Sequence, residues 1–583
     1  MQQPHGRIAP HPLLVIAIIA TFVTAAILAI YLQPDQQGRG NQALADAQQG
    51  LQPEGWQPDV DAGEFPAVGP IQPSPINIAD LPVAQDDPMM QNLVPIPPRD
   101  ERPDMPISED EADRLRQLAM QQTPQAGIQI MPMRGPQPTV PTIDRSFESL
   151  NFDDGGNSVP PDPEMAVGPE HVIATVNSMI EIYDHSGNTL LGPVSSNSFF
   201  SGVAGCSGTF DPNVLYDEKE DRFFIGYDSG SGPGNDNGYC MAVTASNDPT
   251  ATWNRYSFDA SFNPGDFFDY PHAGIGDRAI FMGANIFGDV FHADVWAIDK
   301  FAMYNGDPLP MPIRHQLDTL GDSPDTPQPA NLHGWLDGTW PEQDEHFIIA
   351  ECFFNGSDIC VYRWEDPFGA DLFTLVGSFS LNAETGITGG FPLDVPQSGG
   401  SPMQGNDRRP QDAEYRNGFV YITQTISCNP GAGAVNCVRW AQLDPASASF
   451  VQGGVFASDG EFRSFPDLAV NACNDVLIGY TKSSPDMFPS VYFTGRISSD
   501  PVNTLRPEAE LKTGEVPYSA FDGVPRRWGD YTGATSDPNG DLLWYLGEYS
   551  RNNAASTKWA NMIGAFETGC LSSEVFFLDG FED

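Results

Sequence analysis

The sequence predicts an all-β protein: a seven-bladed β-propeller over residues 147–570, preceded by an N-terminal transmembrane helix and a disordered Pro/Gln-rich stalk. Three observations predict it. Beyond Phe147, short runs rich in Val, Ile, Phe and Tyr are interrupted about every ten residues by Gly, Asn, Asp or Pro, the pattern of antiparallel strands and their turns. An acidic turn residue follows an apolar strand at Asp184, Asp248, Asp299, Asp366, Asp444, Asp500 and Glu567, which marks seven units. A second series opens the units with a turn residue, usually proline, and a polar one: Pro163-Glu164, Pro212-Asn213, Pro271-His272, Pro410-Gln411, Pro466-Asp467 and Gly529-Asp530, with the fourth opening placed near Asn331 to His333. Two landmarks in phase at roughly 60 residues per unit fit one four-stranded blade each, and seven blades close into a ring that leaves only short edges.

The N-terminal segments follow from composition. Leu13 to Leu32 is an uncharged apolar run that as a helix spans roughly 30 Å, the thickness of a bilayer core. It is expected to be a signal anchor over 13–32, with residues 1–12 cytoplasmic and the rest of the chain periplasmic or extracellular. The rival is a cleaved signal, with a small-x-small site at Ala43-Leu44-Ala45, which makes the protein secreted. Residues 33–145 are rich in Pro and Gln and cannot bury enough apolar surface to offset ordering entropy, so they are expected to be extended. One short helix is expected near 108–122, where Ser108 and Glu111 stand at capping-box spacing. Residues 571–583 form a C-terminal tail.

All eight cysteines follow the apolar run, an even number that suits an oxidising compartment. Hairpin geometry pairs Cys352 with Cys360 and Cys428 with Cys437. Cys206 and Cys240 flank one unit-length segment, which leaves Cys473 with Cys570. The formal charge of −50 repels phosphate backbones and anionic headgroups, so nucleic acid is excluded as a partner.

In a propeller, ligands sit at the mouth of the central channel, so the residues opening each unit are the site candidates. Glu164, Asp211, His272, Asp467 and Asp530 are the expected ligand-binding set, with Asn213, Asp269, Gln411 and Asp412 beside them. Asp162, Asp211, Asp467 and Asp530 are the candidates for a hard cation such as Ca2+, since convergent carboxylates either take up protons or recruit metal. Arg408, Arg409, Arg463, Arg526 and Arg527 cluster near three successive openings and suit bidentate carboxylate binding. His272, His292 and His333 share no ligand spacing, and no serine-hydrolase, zinc-protease or P-loop motif occurs.

The stretch SNDPTATW (Ser246 to Trp253), echoed by SSDPVNTL (Ser498 to Leu505), comes close to the Asp-box turn. With PPDPEMAVGPEHVIATVNSMIEIYD, FDPNVLYDEKEDRFFIGY and DYPHAGIGDRAIFMGAN, the chain resembles bacterial exported β-propellers related to the sialidase and BNR-repeat superfamily. The box itself is a turn device, so Asp248 and Asp500 are expected to be structural. The resemblance implies an alternative enzyme site: Arg409, Arg463 and Arg527 on a substrate carboxylate, Tyr549 or Tyr531 with Glu548 as nucleophile and base, and Asp162 or Asp211 as acid. Sialidases are six-bladed, and their early Arg-Ile-Pro is replaced here by Pro-Asp-Pro. The expected function is therefore a membrane-tethered module binding a glycan, peptide or protein at the channel mouth. A sialidase-like glycoside hydrolase is the alternative, and the sequence leaves open whether the chain is catalytic.

Overall fold

The strand Ala279–Phe287, AIFMGANIF, is buried along its whole length, as is Phe267–Ile275, because each sheet is covered on both faces by its neighbours. A computed structural model of the chain describes residues 70–87, 108–131, 141–154 and 158–570, apart from 231–237, 261–265, 289, 318–323, 343, 353–357, 520–522 and 553–556. Every described residue belongs to one unit, Gly69–Asp583.

Three strands come early: β1 (Ser74–Asn77), β2 (Gln129–Ile130) and β3 (Thr142–Asn151). The first sheet is β4 (Glu164–Val167), β5 (His171–Val176), β6 (Met179–Asp184) and β7 (Thr189–Ser195). The second is β8 (Thr209–Asp217), β9 (Arg222–Ser229), β10 (Gly238–Thr244) and β11 (Thr252–Asp259), with β1 on its outer edge. The third is β12 (Phe267–Ile275), β13 (Ala279–Phe287), β14 (His292–Asp299) and β15 (Ile313–Gln316). The fourth joins β16 (Pro324–Pro329) to β18 (Glu345–Cys352), β19 (Ile359–Glu365) and β20 (Leu372–Phe379), while β17 (Asn331–Leu332) pairs with the fifth sheet. That fifth sheet is β21 (Pro410–Arg416), β22 (Phe419–Cys428), β23 (Val435–Asp444) and β24 (Ser449–Ala457), with β2 outermost. The sixth is β25 (Phe462–Val470), β26 (Val476–Ser484), β27 (Met487–Arg496) and β28 (Ala509–Lys512). The seventh is β29 (Gly533–Ser536), β30 (Leu542–Asn552) and β31 (Thr557–Glu567), completed by β3.

The result is an all-β, propeller-like fold of small antiparallel sheets. The leading strand of each sheet touches that of the next, and β29 returns to β4. The approach there is close enough that a Cβ on Gly533 would lie 2.6 Å from the Met165 amide nitrogen. Alternate residues along a strand pack into different gaps: Phe223 and Ile225 join the cluster between the first two sheets, whereas Phe224 joins Phe268, Met282 and Trp296 on the other face. Glu567 and all six aspartate landmarks end or follow the third strand of a sheet as one series. Asp248 shows their work: its carboxylate accepts from the Thr250 amide at 2.9 Å, and the buried Trp253 indole donates to Pro249 O at 2.8 Å.

Four expectations need correction. The inner-membrane-anchored localisation is overturned: among the described residues no helix is long and apolar enough to cross a membrane, and the disulfides support an extracellular or secreted protein. Leu13 to Leu32 itself, residues 1–12 and the 571–583 tail lie outside the described residues. The fourth unit opens at Thr326-Pro327-Gln328 and not near Asn331 to His333; Asn331 and Leu332 instead pair in parallel with Glu414 and Tyr415. Of the stretch 33–145, expected to be extended apart from one short helix, the described parts hold that helix, α1 (Glu109–Ala119), and also β1, β2 and the start of β3, because open sheet edges supply the hydrogen bonds and apolar contacts that its own composition lacks. In α1 the capping box is half made. Ser108 Oγ accepts from the Glu111 amide, but Glu111 turns to Arg114.

The four disulfides are Cys206–Cys240, Cys352–Cys360, Cys428–Cys437 and Cys473–Cys570. The last closes a separation of 97 residues and ties the sixth sheet to the end of β31, whereas Cys352–Cys360 spans only 8. Replacing both cysteines of the long pair by alanine is expected to cost roughly 2 kcal/mol more than doing so for the short pair, since loop entropy grows with the logarithm of loop length. Urea unfolding of the two double mutants measures the difference.

Candidate functional site

Five of the seven leading strands carry a kink at a proline. Register shifts occur at Phe210/Pro212, Asp269/His272, Asp325/Gln328, Pro410/Ala413 and Ser464/Asp467. The residue before the proline takes a left-handed conformation at Asp162, Asp211, Tyr270, Thr326 and Phe465, with φ from 45° to 62°. Such non-glycine geometry costs about 1–2 kcal/mol each, and it turns the flanking polar side chains toward one another near the axis.

What they build is a closed knot. Asp162 Oδ1 accepts from the Asp530 amide at 2.7 Å and Oδ2 from Asn177 at 2.6 Å. Tyr531 donates to Asp211 at 3.2 Å, and Tyr270 donates to Asp530 O at 2.9 Å. The Tyr270 and Tyr531 rings stack 4.7 Å apart with His272 against both. Burial and the Arg409 charge drive the His272 imidazolium down to about 3, so the ring is neutral. Burial, then Asp530 and Asp211, raise Asp162; burial, then Asp162 and Asp530, raise Glu548. These carboxyls hold protons in preference to sharing charge. Asp162, Asp211, Tyr270, His272, Asp530, Tyr531 and Glu548 are all buried.

Glu164, Asp412 and Asp467 face one another from β4, β21 and β25. Burial and the neighbouring Glu414 push Asp412 up to about 8, and burial, Asp412 and Glu164 raise Asp467. Asp467 therefore stands apart from Asp162, Asp211 and Asp530, and the proposed four-residue cation set is divided. No group of three or more His, Cys, Asp or Glu among the described residues is arranged to hold a metal ion. Beside them, His333 bridges Glu218 at 2.8 Å and Glu414 at 2.7 Å. Asn213 bonds Tyr239 and Pro271 O. His292 pairs with Asp294.

The arginines do not converge on one pocket. Arg408 holds Glu351 at 2.5 Å, and Arg409 donates to Asp407 at 2.7 Å while lying 3.7 Å over the Tyr270 ring. Arg463 is buried against Glu508 at 2.7 Å and Glu461 at 3.0 Å, and Arg527 pairs with Asp530. Arg526 donates to Gly523 O at 2.9 Å. Glu548 and Tyr549 are consecutive on β30, so they point to opposite faces, and Tyr549 bonds Glu148.

Sequence reasoning missed the open site. A cavity of about 470 Å3 lies between α1 and the ends of the fourth sheet. Leu115, Leu118 and Ala119 roof it, Phe391 and the 388–390 backbone wall it, and Asp325, Glu351, Asp407 and Arg408 form its floor. Asp325 and Glu351 are direct register partners on β16 and β18. Burial, then Glu351 and Asp407, raise Asp325 well above the ordinary carboxylate range. The roof is tied down by Gln122 and Gln125 to Thr388 O, by Asn429 to Gln122 O, and by the Arg116 guanidinium 5.4 Å over Phe391. The signal that could have located the floor is PDTPQP, Pro324 to Pro329, whose Thr-Pro-Gln matches the other unit openings.

Two stability effects follow. Burial disfavours the His333 imidazolium, but Glu414 and Glu218 outweigh it and push the ring up to about 10 from 6.5. The folded state thus keeps a proton that the unfolded chain releases, so this contribution is full below about pH 6.5 and is lost between about 6.5 and 10. Unfolding free energies of wild type and His333→Asn across that window should differ in slope, with the wild type the steeper. Burial opposes ionisation of Glu508 too, yet Arg463 and Lys482 hold it down at about 2. Arg463→Ala should cost about 3 kcal/mol by stranding that charge, read by urea unfolding.

No family model matches the chain, and no curated protein matches it. Among solved structures, a protein of unknown function from Dyadobacter fermentans is 10% identical over 61% of this chain and 94% of that one, with a TM-score of 0.32. A PL25 ulvan lyase is 10% identical over 57% of this chain and 76% of its own, with a TM-score of 0.31. Trypanosoma rangeli sialidase is 10% identical over 61% of this chain and 54% of its own, also at 0.31.

Proposed function

We propose that the chain is a seven-bladed propeller of the sialidase-related exported kind, acting as a non-catalytic module that binds part of a glycan, peptide or protein ligand. The seven sheets with touching leading strands support the blade count. The cavity beneath α1 carries the functional reading: it is open, apolar side chains of the roof and Phe391 line much of it, and Asp325, Glu351, Asp407 and Arg408 gather on its floor, the usual layout of a binding pocket. The predicted ligand set around His272 and Asp530 lies behind this floor as support, with Arg409 linking Asp407 to Tyr270. The hydrolase alternative needs arginines that reach a substrate carboxylate together, and here each of Arg409, Arg463 and Arg527 is matched to an acid of its own.

Leu118 is half exposed on the roof, so Leu118→Trp fills the cavity without disturbing the core. The full-length protein, applied to glycan and peptide arrays, should give saturable binding that Leu118→Trp weakens by about tenfold or more. Binding that ignores this change, or turnover of a fluorogenic sialoside that disappears in Arg409→Ala, overturns the reading.

A further inference from the structure

The chemistry of the cavity narrows the ligand, on the premise that it is the binding site. Its lining holds four carboxylates, Glu111, Asp325, Glu351 and Asp407, against one guanidinium, Arg408. The existing cations are already committed: Arg408 to Glu351, Arg409 to Asp407, and Arg114 to Glu111 outside the roof. Among the described residues no ion pair reaches Asp325. It faces Glu351 across the strand pair with Asp407 beside both, and the Arg409 charge that acts on it is bonded to Asp407. Asp325 and Glu351 are each 2% exposed, and since Glu351 is already paired with Arg408, it is a charge on Asp325 that is unfavourable there. Apart from Gln122 and the 388–390 backbone, the roof and wall are the aliphatic faces of Leu115, Leu118 and Ala119 and the Phe391 ring, which suit an apolar stem. A chain with a net charge of −50 draws cations toward every such opening and repels anions.

We propose that the cavity takes a monovalent organic cation, the basic side chain of a peptide ligand, with its ammonium or guanidinium head on Asp325 and Glu351 and its aliphatic stem along Leu115, Leu118 and Phe391. The head supplies the charge that Arg408 and Arg409 leave unmet, and the stem replaces water on the apolar walls. A proton competes with the ligand for Asp325, whose surroundings are Glu351 on β18, Asp407, Arg408 and Arg409 before β21, and Thr326 on its own strand. Affinity should therefore fall as the pH is lowered, and binding should release protons.

Calorimetric titration of the full-length protein with two matched series tests this. Nα-acetyl-lysine amide should bind at least about tenfold more tightly than Nα-acetyl-norleucine amide at about pH 7.5, and hexylamine more tightly than hexanol or hexanoate. Asp325→Asn should erase the cationic preference, and Leu118→Trp should weaken every member. If Asp325→Asn does not fold, Glu351→Gln reads the same preference. Hexylamine binding without lysine amide binding keeps the cation but overturns a peptide as its source. Equal binding of the charged and neutral members overturns the cation assignment and leaves the pocket as a binding site. Failure of all members to bind overturns both.

Discussion

The removal of charge from water near the propeller axis is the constraint on which the rest of this structure depends. The leading strands and the turns before them bring Asp162, Asp211, Asp412, Asp467 and Asp530, and β30 brings Glu548, to buried positions with few cations, in a chain with only 28 Lys and Arg. Coulomb attraction at low dielectric offsets desolvation only where geometry is good, so the arginines that do enter are placed with care. Arg409 meets a carboxylate with its edge and a tyrosine ring with its face. Where no arginine is available, the carboxyls take up protons, as the raised Asp162 and Asp467 show. The same scarcity leaves Asp325 without an ion pair among the described residues, at a place where the buried network borders an opening.

This also explains why arginines that look like a substrate clamp in sequence do not form one. A clamp needs guanidinium groups whose charge is unmet until substrate arrives. Arg463 is instead surrounded by Glu508, Glu461 and the Ser458 hydroxyl within the sixth sheet. Its partner Glu508 stands 45 residues further on, in a stretch with no repeat landmark, and nothing in the local sequence announces the pair.

Most of the fold was legible because two of its signals are local. An aspartate that caps its own turn, such as Asp184 bonding the Ser186 and Asn188 amides, needs no distant partner to be recognised. A proline that kinks a strand is equally visible, except in PDTPQP, where two further prolines mask the kink and the fourth opening reads as lying near Asn331 to His333. The cavity was not legible. Its roof lies some two hundred residues or more before its floor and its Phe391 wall, and only packing brings them together. The disulfides lay between these cases: Cys428 and Cys437 face each other across a hairpin, whereas Cys473 and Cys570 could be joined only as the pair left over.

The seventh sheet mixes the two ends of the domain, with β3 beside β31. A chain made from its N-terminus releases β3 first and β31 last, so every sheet between them must exist before the ring has a place for β3 to dock. Until then β3 exposes an open edge, whereas the roof helix, from a segment just upstream of β3, finds its partners Thr388 and Asn429 as soon as the fourth and fifth sheets exist. Completion of the ring is thus a late event in the life of each molecule, later than completion of the pocket, and a product truncated before β31 would leave β3 without its partner.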